Sequence, residues 1–219
     1  MKTLLKNFSL LGLCCMIHFT AYSQVKIEQI THYLLPEFTQ GVVLMNSGKK
    51  HEALLNYNSL TEEMIFDTKG KKLALTDLDQ VDTVYVAGKK FFLLNNKWVE
   101  LVLDAKYDLY AENKCNLKDP GTPVAYGGTS QVSATSSYSS YFSGGQVYEL
   151  QLPQGFETLP FTTYWLEKDG KRSAFFNLRQ LAKLFPEKDD LMKQYVKKQD
   201  VTYDNQSSLV DLIKYLAGN

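Results

Sequence analysis

Few side chains suited to catalysis or metal binding occur in this sequence. The 219 residues include three cysteines and three histidines, of which two cysteines and one histidine lie within the first 23 residues. The rest of the chain has Cys115, His32 and His51, whose spacing matches no zinc site. One cysteine cannot form an internal disulfide, and Cys115 is expected to be a small, half-buried strand residue. The sequence therefore predicts no metal site and no cofactor, and it favours binding over catalysis.

Two weaker patterns leave an enzyme as a remaining alternative. Residues 77–82 (DLDQVD) resemble part of a calcium loop, but they lack the glycine and the final glutamate of an EF-hand. The serine-rich residues 130–143 offer hydroxyl groups without the Gly-x-Ser-x-Gly turn of serine hydrolases. A hydrolase acting on envelope material is the second alternative function.

Lysines recur in a repeated turn sequence. Gly-Lys-Lys occurs at 48–50, 70–72 and 88–90. In an up-and-down meander these turns would lie at one end of the sheet, with acidic turns at the other. Lys49, Lys71 and Lys89 would then form a basic rim for an anionic lipid surface or an acidic partner. Alternatively, these lysines serve solubility and protect strand edges.

An uncharged segment rich in Ser, Gly, Thr and Tyr is the second candidate for binding. Four aromatic residues lie in or beside its small polar residues: Tyr126, Tyr138, Tyr141 and Phe142. Antibody loops use this composition because Tyr supplies contact area at low entropic cost, while Ser and Gly adapt to the partner. The alternative is a solvated loop that binds nothing.

The elements that must position these residues are mainly short strands. Apolar runs separated by Gly- or Asn-containing turns predict consecutive antiparallel hairpins. The expected strands are 40–46, 50–57, 63–67, 71–75, 82–86, 89–94, 97–103 and 106–114. We expect an α+β fold, in which residues 24–115 form an antiparallel β-meander, as a curved sheet or partial barrel. A long Ser/Tyr/Gly loop (116–145), further strands (146–176) and a three-helix unit (177–219) complete it.

A curved sheet could also enclose a ligand. The first alternative function is therefore a carrier of lipid or of another small apolar ligand. Phe91, Phe92, Trp98 and Trp165 would line its cavity, although filling the core is the usual role of such residues.

The first 23 residues have the pattern of a secretory signal peptide. Lys2 and Lys6 precede a short apolar run, and Ala21-Tyr22-Ser23 matches a cleavage site. The run is about ten residues, whereas a membrane-spanning helix needs roughly 20. We expect cleavage after Ser23, a secreted or periplasmic location and no transmembrane segment afterwards. Cleavage leaves 22 basic against 24 acidic residues, a net charge of −2, which gives no basis for nucleic-acid binding.

Three segments give the sequence a resemblance to other proteins. YLLPEFTQGVVLMNSGKK (33–50), PVAYGGTSQ (123–131) and FFNLRQLAKLFPEKDDLMKQYVKKQ (175–199) resemble a group of uncharacterised secreted proteins from Bacteroidota. The resemblance implies secretion and a shared fold, and it supplies no catalytic residue, cofactor or substrate. The sequence as a whole predicts a non-catalytic binding or structural module of the cell envelope, whose partner is another envelope protein or an anionic lipid surface.

Overall fold

The computed structural model describes residues 32–118, 122–123, 129–130 and 157–218. The strands are β1 (Thr39–Met45), β2 (Lys50–Asn58), β3 (Glu63–Thr68), β4 (Lys71–Ala74), β5 (Val81–Val86), β6 (Lys89–Leu94), β7 (Lys97–Leu103), β8 (Asp108–Lys118), β9 (Thr122–Pro123), β10 (Thr129–Ser130), β11 (Glu157–Lys168) and β12 (Lys171–Phe175). The helices are α1 (Leu178–Ala182), α2 (Asp189–Gln199) and α3 (Gln206–Gly218). The eight strands expected between residues 40 and 114 are all present, with small shifts of their ends.

Ten of these strands form one antiparallel sheet, which confirms the α+β class. Their order is β12-β11-β8-β7-β6-β5-β1-β2-β3-β4, and β9 pairs with β10 separately. The sheet is open, with β4 and β12 as its outer strands. It is not a simple meander, because β5 pairs with β1 and not with β4. The chain therefore returns across the sheet between β4 and β5.

The repeated glycines are required by tight hairpin turns. In the turns Lys69-Gly70, Ala87-Gly88 and Asp169-Gly170, both residues have positive φ angles. Two consecutive positive φ angles define the type I′ turn, whose twist matches that of the flanking strands and whose second position favours glycine. The recurrence of Gly-Lys-Lys thus follows partly from turn geometry.

The sheet curves strongly across β2, β1, β5 and β6. The rings of Tyr57 on β2 and Phe91 on β6 stack with centroids 5.7 Å apart, although two strands lie between them. In a flat sheet strands three positions apart would be about 14 Å apart. Gly41 permits close contact inside the curve, because a Cβ there would lie 2.6 Å from the carbonyl oxygen of Tyr85.

Two hydrophobic cores result. The first, which we call the curled core, is enclosed by the sheet itself and contains Leu55, Met64, Val84, Phe91 and Trp98 among its buried residues. The second, the helix-covered core, joins strands β8, β11 and β12 to the three helices. Its fully buried members include Leu109, Phe175, Leu181, Phe185, Leu209, Leu212, Ile213 and Leu216.

The helical region matches the expected three-helix unit only in part. Helices α2 and α3 have 11 and 13 residues, whereas α1 has five. Asn177 caps α1, since its side chain accepts a hydrogen bond from the Gln180 backbone at 2.9 Å. Asn205 caps α3, since its side chain accepts a hydrogen bond from the Ser208 backbone at 3.1 Å. The helices pack on the sheet through the helix-covered core.

The described residues that precede β1, which we call the lead-in segment, lie beside the end of β2. Tyr33 forms an isolated bridge with Asn58, and regular pairing resumes only at Thr39. Pro36 lies in the interruption, as expected of a residue that has no backbone N–H to donate. The Asn56 side chain holds the segment by bonds to the backbone N–H and carbonyl of Leu35, at 3.0 and 2.9 Å.

Candidate functional site

An open apolar groove lies where the curled core reaches one end of the sheet. Its volume is about 390 Å³. We call it the apolar groove, and its lining residues are Val43, Met45, His51, Glu52, Ala53, Phe66, Asp67, Thr68, Leu75, Thr76 and Val81. The floor comes from β1, β2 and β3, and one wall comes from the segment between β4 and β5. Met45, Ala53, Phe66 and Leu75 are partly buried residues that pack against the curled core.

Hydrogen bonds to backbone carbonyls fix the wall of the groove. The Asn46 side chain donates to the Asp79 carbonyl at 2.7 Å, and its backbone N–H donates to the Gln80 carbonyl at 2.8 Å. The backbone N–H of Leu75 donates to the Met64 carbonyl at 2.8 Å. The returning segment is therefore tied to β3 at its start and to the β1–β2 turn at its end. A groove anchored in this way is preformed, which favours ligand binding.

The three candidate lysines do not form one rim. Lys49 lies at the β1–β2 turn and Lys71 at the β3–β4 turn, so both are at the end of the sheet where the groove opens, which we call the groove end. Lys89 follows the β5–β6 turn at the opposite end, because β1 is antiparallel to both β2 and β5. The expected clustering of Lys89 with Lys49 and Lys71 is wrong, because the chain crosses over between β4 and β5 where the sequence pattern predicts a meander.

Lys89 also has a different chemical environment. Its ammonium lies 2.7 Å from the carboxylate of Glu100, whose side chain is only 5% exposed. Glu100 accepts a second bond, from the Asn113 amide at 3.2 Å, and Asn113 in turn accepts from the Thr162 hydroxyl at 3.2 Å. Lys49, in contrast, is exposed. Lys89 thus belongs to a polar chain inside the sheet and not to a surface that attracts anions.

The expected separation of acidic and basic ends is wrong for Asp79 and Asp82. Asp79 is held beside the β1–β2 turn by its bond with Asn46, and Asp82 lies at the start of β5, next to the end of β1. Both acids therefore share the groove end with Lys49 and Lys71. The mixed charge there gives the groove no strong preference for an anionic head group.

The four aromatic residues expected to line a cavity do not do so together. Phe91 and Trp98 are buried in the curled core, whereas Phe92 faces the opposite side of the sheet, because side chains alternate along a strand. Trp165 lies next to Tyr164 on β11 and likewise faces away from the cores. The groove is lined instead by other side chains, which come from four separate segments and form a combination that no run of sequence displays.

The other candidate binding residues lie outside the described part of the chain. These are Tyr126, Tyr138, Tyr141 and Phe142.

Cys115 is buried on β8, as expected of a structural cysteine, and burial raises the pKa of its thiol. A raised pKa disfavours the thiolate that a nucleophilic cysteine requires. Within residues 32–118 and 157–218, no group of three His, Cys, Asp or Glu side chains is placed to hold a metal ion.

Comparisons with known protein families, curated proteins and solved structures give no match for this chain. None of the helices in the described segments combines the length and the apolar character needed to cross a bilayer.

Proposed function

We propose that this protein is a non-catalytic binding protein that holds a small apolar ligand in the apolar groove. The observation that carries the proposal is an opening of about 390 Å³ into a hydrophobic core, lined mainly by apolar side chains. Ligand pockets typically have volumes of roughly 300–1,000 Å³ and combine apolar walls with a few polar groups. His51 and Asp67 supply polar groups in the lining. A bound ligand would remove the exposed apolar surface from water.

The proposed place of action is the cell envelope or the exterior of the cell. The support is the basic start, short apolar run and Ala21-Tyr22-Ser23 site of the leader. Protein recovered from the periplasm or the medium should begin at Gln24, which intact mass measurement would establish. Recovery of a chain that retains residues 1–23 from the cytoplasm would contradict this part of the proposal.

A neutral fluorescent probe tests the groove directly. N-phenyl-1-naphthylamine brightens in apolar surroundings, and its titration should give saturable binding to the full chain. Thr76 is exposed at the groove wall, so Thr76→Trp should fill the opening without disturbing the core. We expect the probe Kd to rise about tenfold or more, a loss of about 1.4 kcal/mol of binding free energy.

Thr202→Trp is the matched control. Thr202 is also an exposed threonine, and it lies in the link between α2 and α3, outside the groove lining. This variant should bind the probe like the natural protein. Equal binding by all three proteins would place the probe elsewhere and refute the groove as the site. Absence of saturable binding to the natural protein would refute the apolar ligand.

A further inference from the structure

A second cavity lies mainly on the outer face of the sheet, which points away from both cores. Its volume is about 470 Å³. It begins between β5 and β6 at the groove end and continues across the outer side of β6, β7 and β8. We call it the outer cleft, and its lining includes Asp82, Lys90, Phe92, Leu93, Leu101 and Tyr110. It shares only Val81 with the lining of the apolar groove.

A bulge opens the gap between β5 and β6. The partners of β1 change from Thr83 to Val81, so Asp82 is an extra residue in β5. Pairing between β5 and β6 ends at Val84 and Phe91. Strand β6 continues beyond this pair, and no described residue of β5 pairs with its last part. The sheet therefore has a break in its hydrogen-bond ladder where the outer cleft begins.

The register of β6 determines which backbone groups face this gap. A two-residue turn at Asn95-Asn96 joins β6 to β7, so Leu94 and Lys97 form the hydrogen-bonded pair next to the turn. Bonded and non-bonded pairs alternate along an antiparallel ladder, and the backbone of Leu93 therefore points towards β5. Among the described residues, its N–H and carbonyl have no partner on that side. The gap thus offers one backbone donor and one backbone acceptor from the same residue.

Lys90 supplies a cation to the outer cleft. Its neighbour Phe91 is buried in the curled core, so Lys90 faces the outer side of the sheet. Lys90 is half-buried, and its ammonium forms no ion pair within the described segments, whereas that of Lys89 is paired with Glu100. Asp82 is the other charged residue of the lining, and it is exposed at the groove end. An anionic group would therefore bind at Lys90, away from Asp82.

The apolar part of the outer cleft has a fixed shape. The rings of Phe92 and Tyr110 meet edge to face, with centroids 5.5 Å apart. The Tyr110 hydroxyl donates to Glu167 at 3.1 Å, and the guanidinium of Arg172 lies 5.0 Å from the centre of the Tyr110 ring. Leu101 pairs with Tyr110 across the strands and completes the apolar lining. This surface is preformed, which favours the binding of an apolar side chain.

We propose that the outer cleft binds an N-acylated amino acid with an apolar side chain, the unit at the C-terminal end of a peptide. Its amide can both donate to and accept from the backbone of Leu93, as an added strand does. Its carboxylate can bind Lys90, and its side chain can pack on Phe92 and Tyr110. Lys90 and Leu93 are three residues apart on β6, about 10 Å, and the long lysine side chain can span most of that distance.

Three small molecules test these groups one at a time on the natural full chain. N-acetylphenylalanine has the amide, the carboxylate and the ring, N-acetylphenylalaninamide lacks the charge, and 3-phenylpropionate lacks the amide. Isothermal titration calorimetry at low salt should give saturable binding of N-acetylphenylalanine. The Kd of each of the other two should be about tenfold higher or more. Added salt should weaken the binding of N-acetylphenylalanine more than that of its amide.

Replacing the lysine tests the position of the site. Lys90→Met should raise the Kd of N-acetylphenylalanine about tenfold, towards that of N-acetylphenylalaninamide. Lys97→Met is the matched control, because Lys97 is an exposed lysine beside the β6–β7 turn and outside the cleft lining. This variant should bind N-acetylphenylalanine like the natural protein. Thermal unfolding of both variants would establish that they fold.

Four results would overturn the proposal. They are no saturable binding of N-acetylphenylalanine, equal binding of either of the other two molecules, an unchanged Kd in Lys90→Met, and an equal rise of Kd in Lys97→Met. Thr76→Trp should bind N-acetylphenylalanine like the natural protein, and Lys90→Met should retain N-phenyl-1-naphthylamine binding. Failure of the outer cleft is therefore distinguishable from failure of the apolar groove.

Discussion

The two hydrophobic cores of this protein are closed in different ways. Three helices cover one face of β8, β11 and β12, and the lysines at 106 and 188 bind the terminal carbonyls of α3 through Ala217 and Leu216. The curled core is enclosed by curvature of the sheet, and at the groove end nothing in the described residues covers Met45, Phe66 and Leu75 completely. The helices thus cover one core, whereas the other has room for a ligand at the groove end.

The largest expected effect is in the helix-covered core. Phe175 is fully buried and lies between Tyr164 and Tyr203, with ring centroids 5.8 and 6.0 Å away. Phe175→Ala should lower the free energy of unfolding by about 3–5 kcal/mol, through lost burial and an unfilled cavity. Phe66→Ala at the groove should cost clearly less, because Phe66 is only partly buried. Urea denaturation measures both, and equal losses would contradict the distinction between the cores.

The polar chain where the cores meet should give the next effect. Glu100 pairs across the strands with Phe91 of the curled core and Ala111 of the helix-covered core. Lys89→Met would leave this buried carboxylate without its cation and should cost about 2–3 kcal/mol. Glu100→Gln should cost less, because the Lys89 side chain is 29% exposed and water can solvate its charge.

Lys49→Met is the control for Lys89→Met. Lys49 is exposed at a turn, and its loss should change the free energy of unfolding by less than about 0.5 kcal/mol. The same urea denaturation series compares all three variants. Equal stabilities of Lys49→Met and Lys89→Met would show that the ion pair with Glu100 contributes nothing to folding.

Acid should destabilise the protein through the lead-in segment. His32 is buried, neither of its ring nitrogens has a hydrogen-bond partner among the residues that the structure describes, and burial together with the nearby Lys72 lowers its pKa to about 4. The unfolded chain therefore takes up this proton first, near pH 6.5. The stabilisation is complete above that pH and is lost as the pH falls towards 4, with about 2 kcal/mol gone by pH 5.

Replacing the imidazole tests this origin of the acid sensitivity. The His32→Leu variant has no imidazole to protonate. Its free energy of unfolding should therefore decrease less between pH 8 and pH 5 than that of the natural protein. Urea denaturation at both pH values, with the natural protein alongside, measures the difference. If the two proteins have the same pH dependence, then His32 takes up its proton at the same pH in the folded and unfolded chains, and its folded-state pKa is not lowered.

What the sequence could and could not predict follows from the range of the interactions involved. Alternating apolar residues and Gly-containing turns locate β1 to β8 because both depend on neighbours in the chain. The pairing of β5 with β1 depends on how the curled core closes, and no local pattern encodes it. The sequence pattern therefore predicts the wrong end of the sheet for Lys89. The apolar groove was missed as well, since Val43, Phe66 and Leu75 meet only after that crossover. The sequence indicates the groove only through Met45 and Leu75, which are apolar residues next to polar turns.

Helix capping gives the smallest predicted effect and tests a local interaction against these distant ones. Asn205 accepts a hydrogen bond from the Ser208 backbone at the start of α3, which buries four residues in the helix-covered core. Asn205→Ala should lower the unfolding free energy by about 1 kcal/mol, since one backbone donor loses its partner. Ser207→Ala should change it by less than about 0.5 kcal/mol, because Ser207 is exposed within the first turn. A larger loss in Ser207→Ala than in Asn205→Ala would move the cap to the serine and shorten α3 at its start.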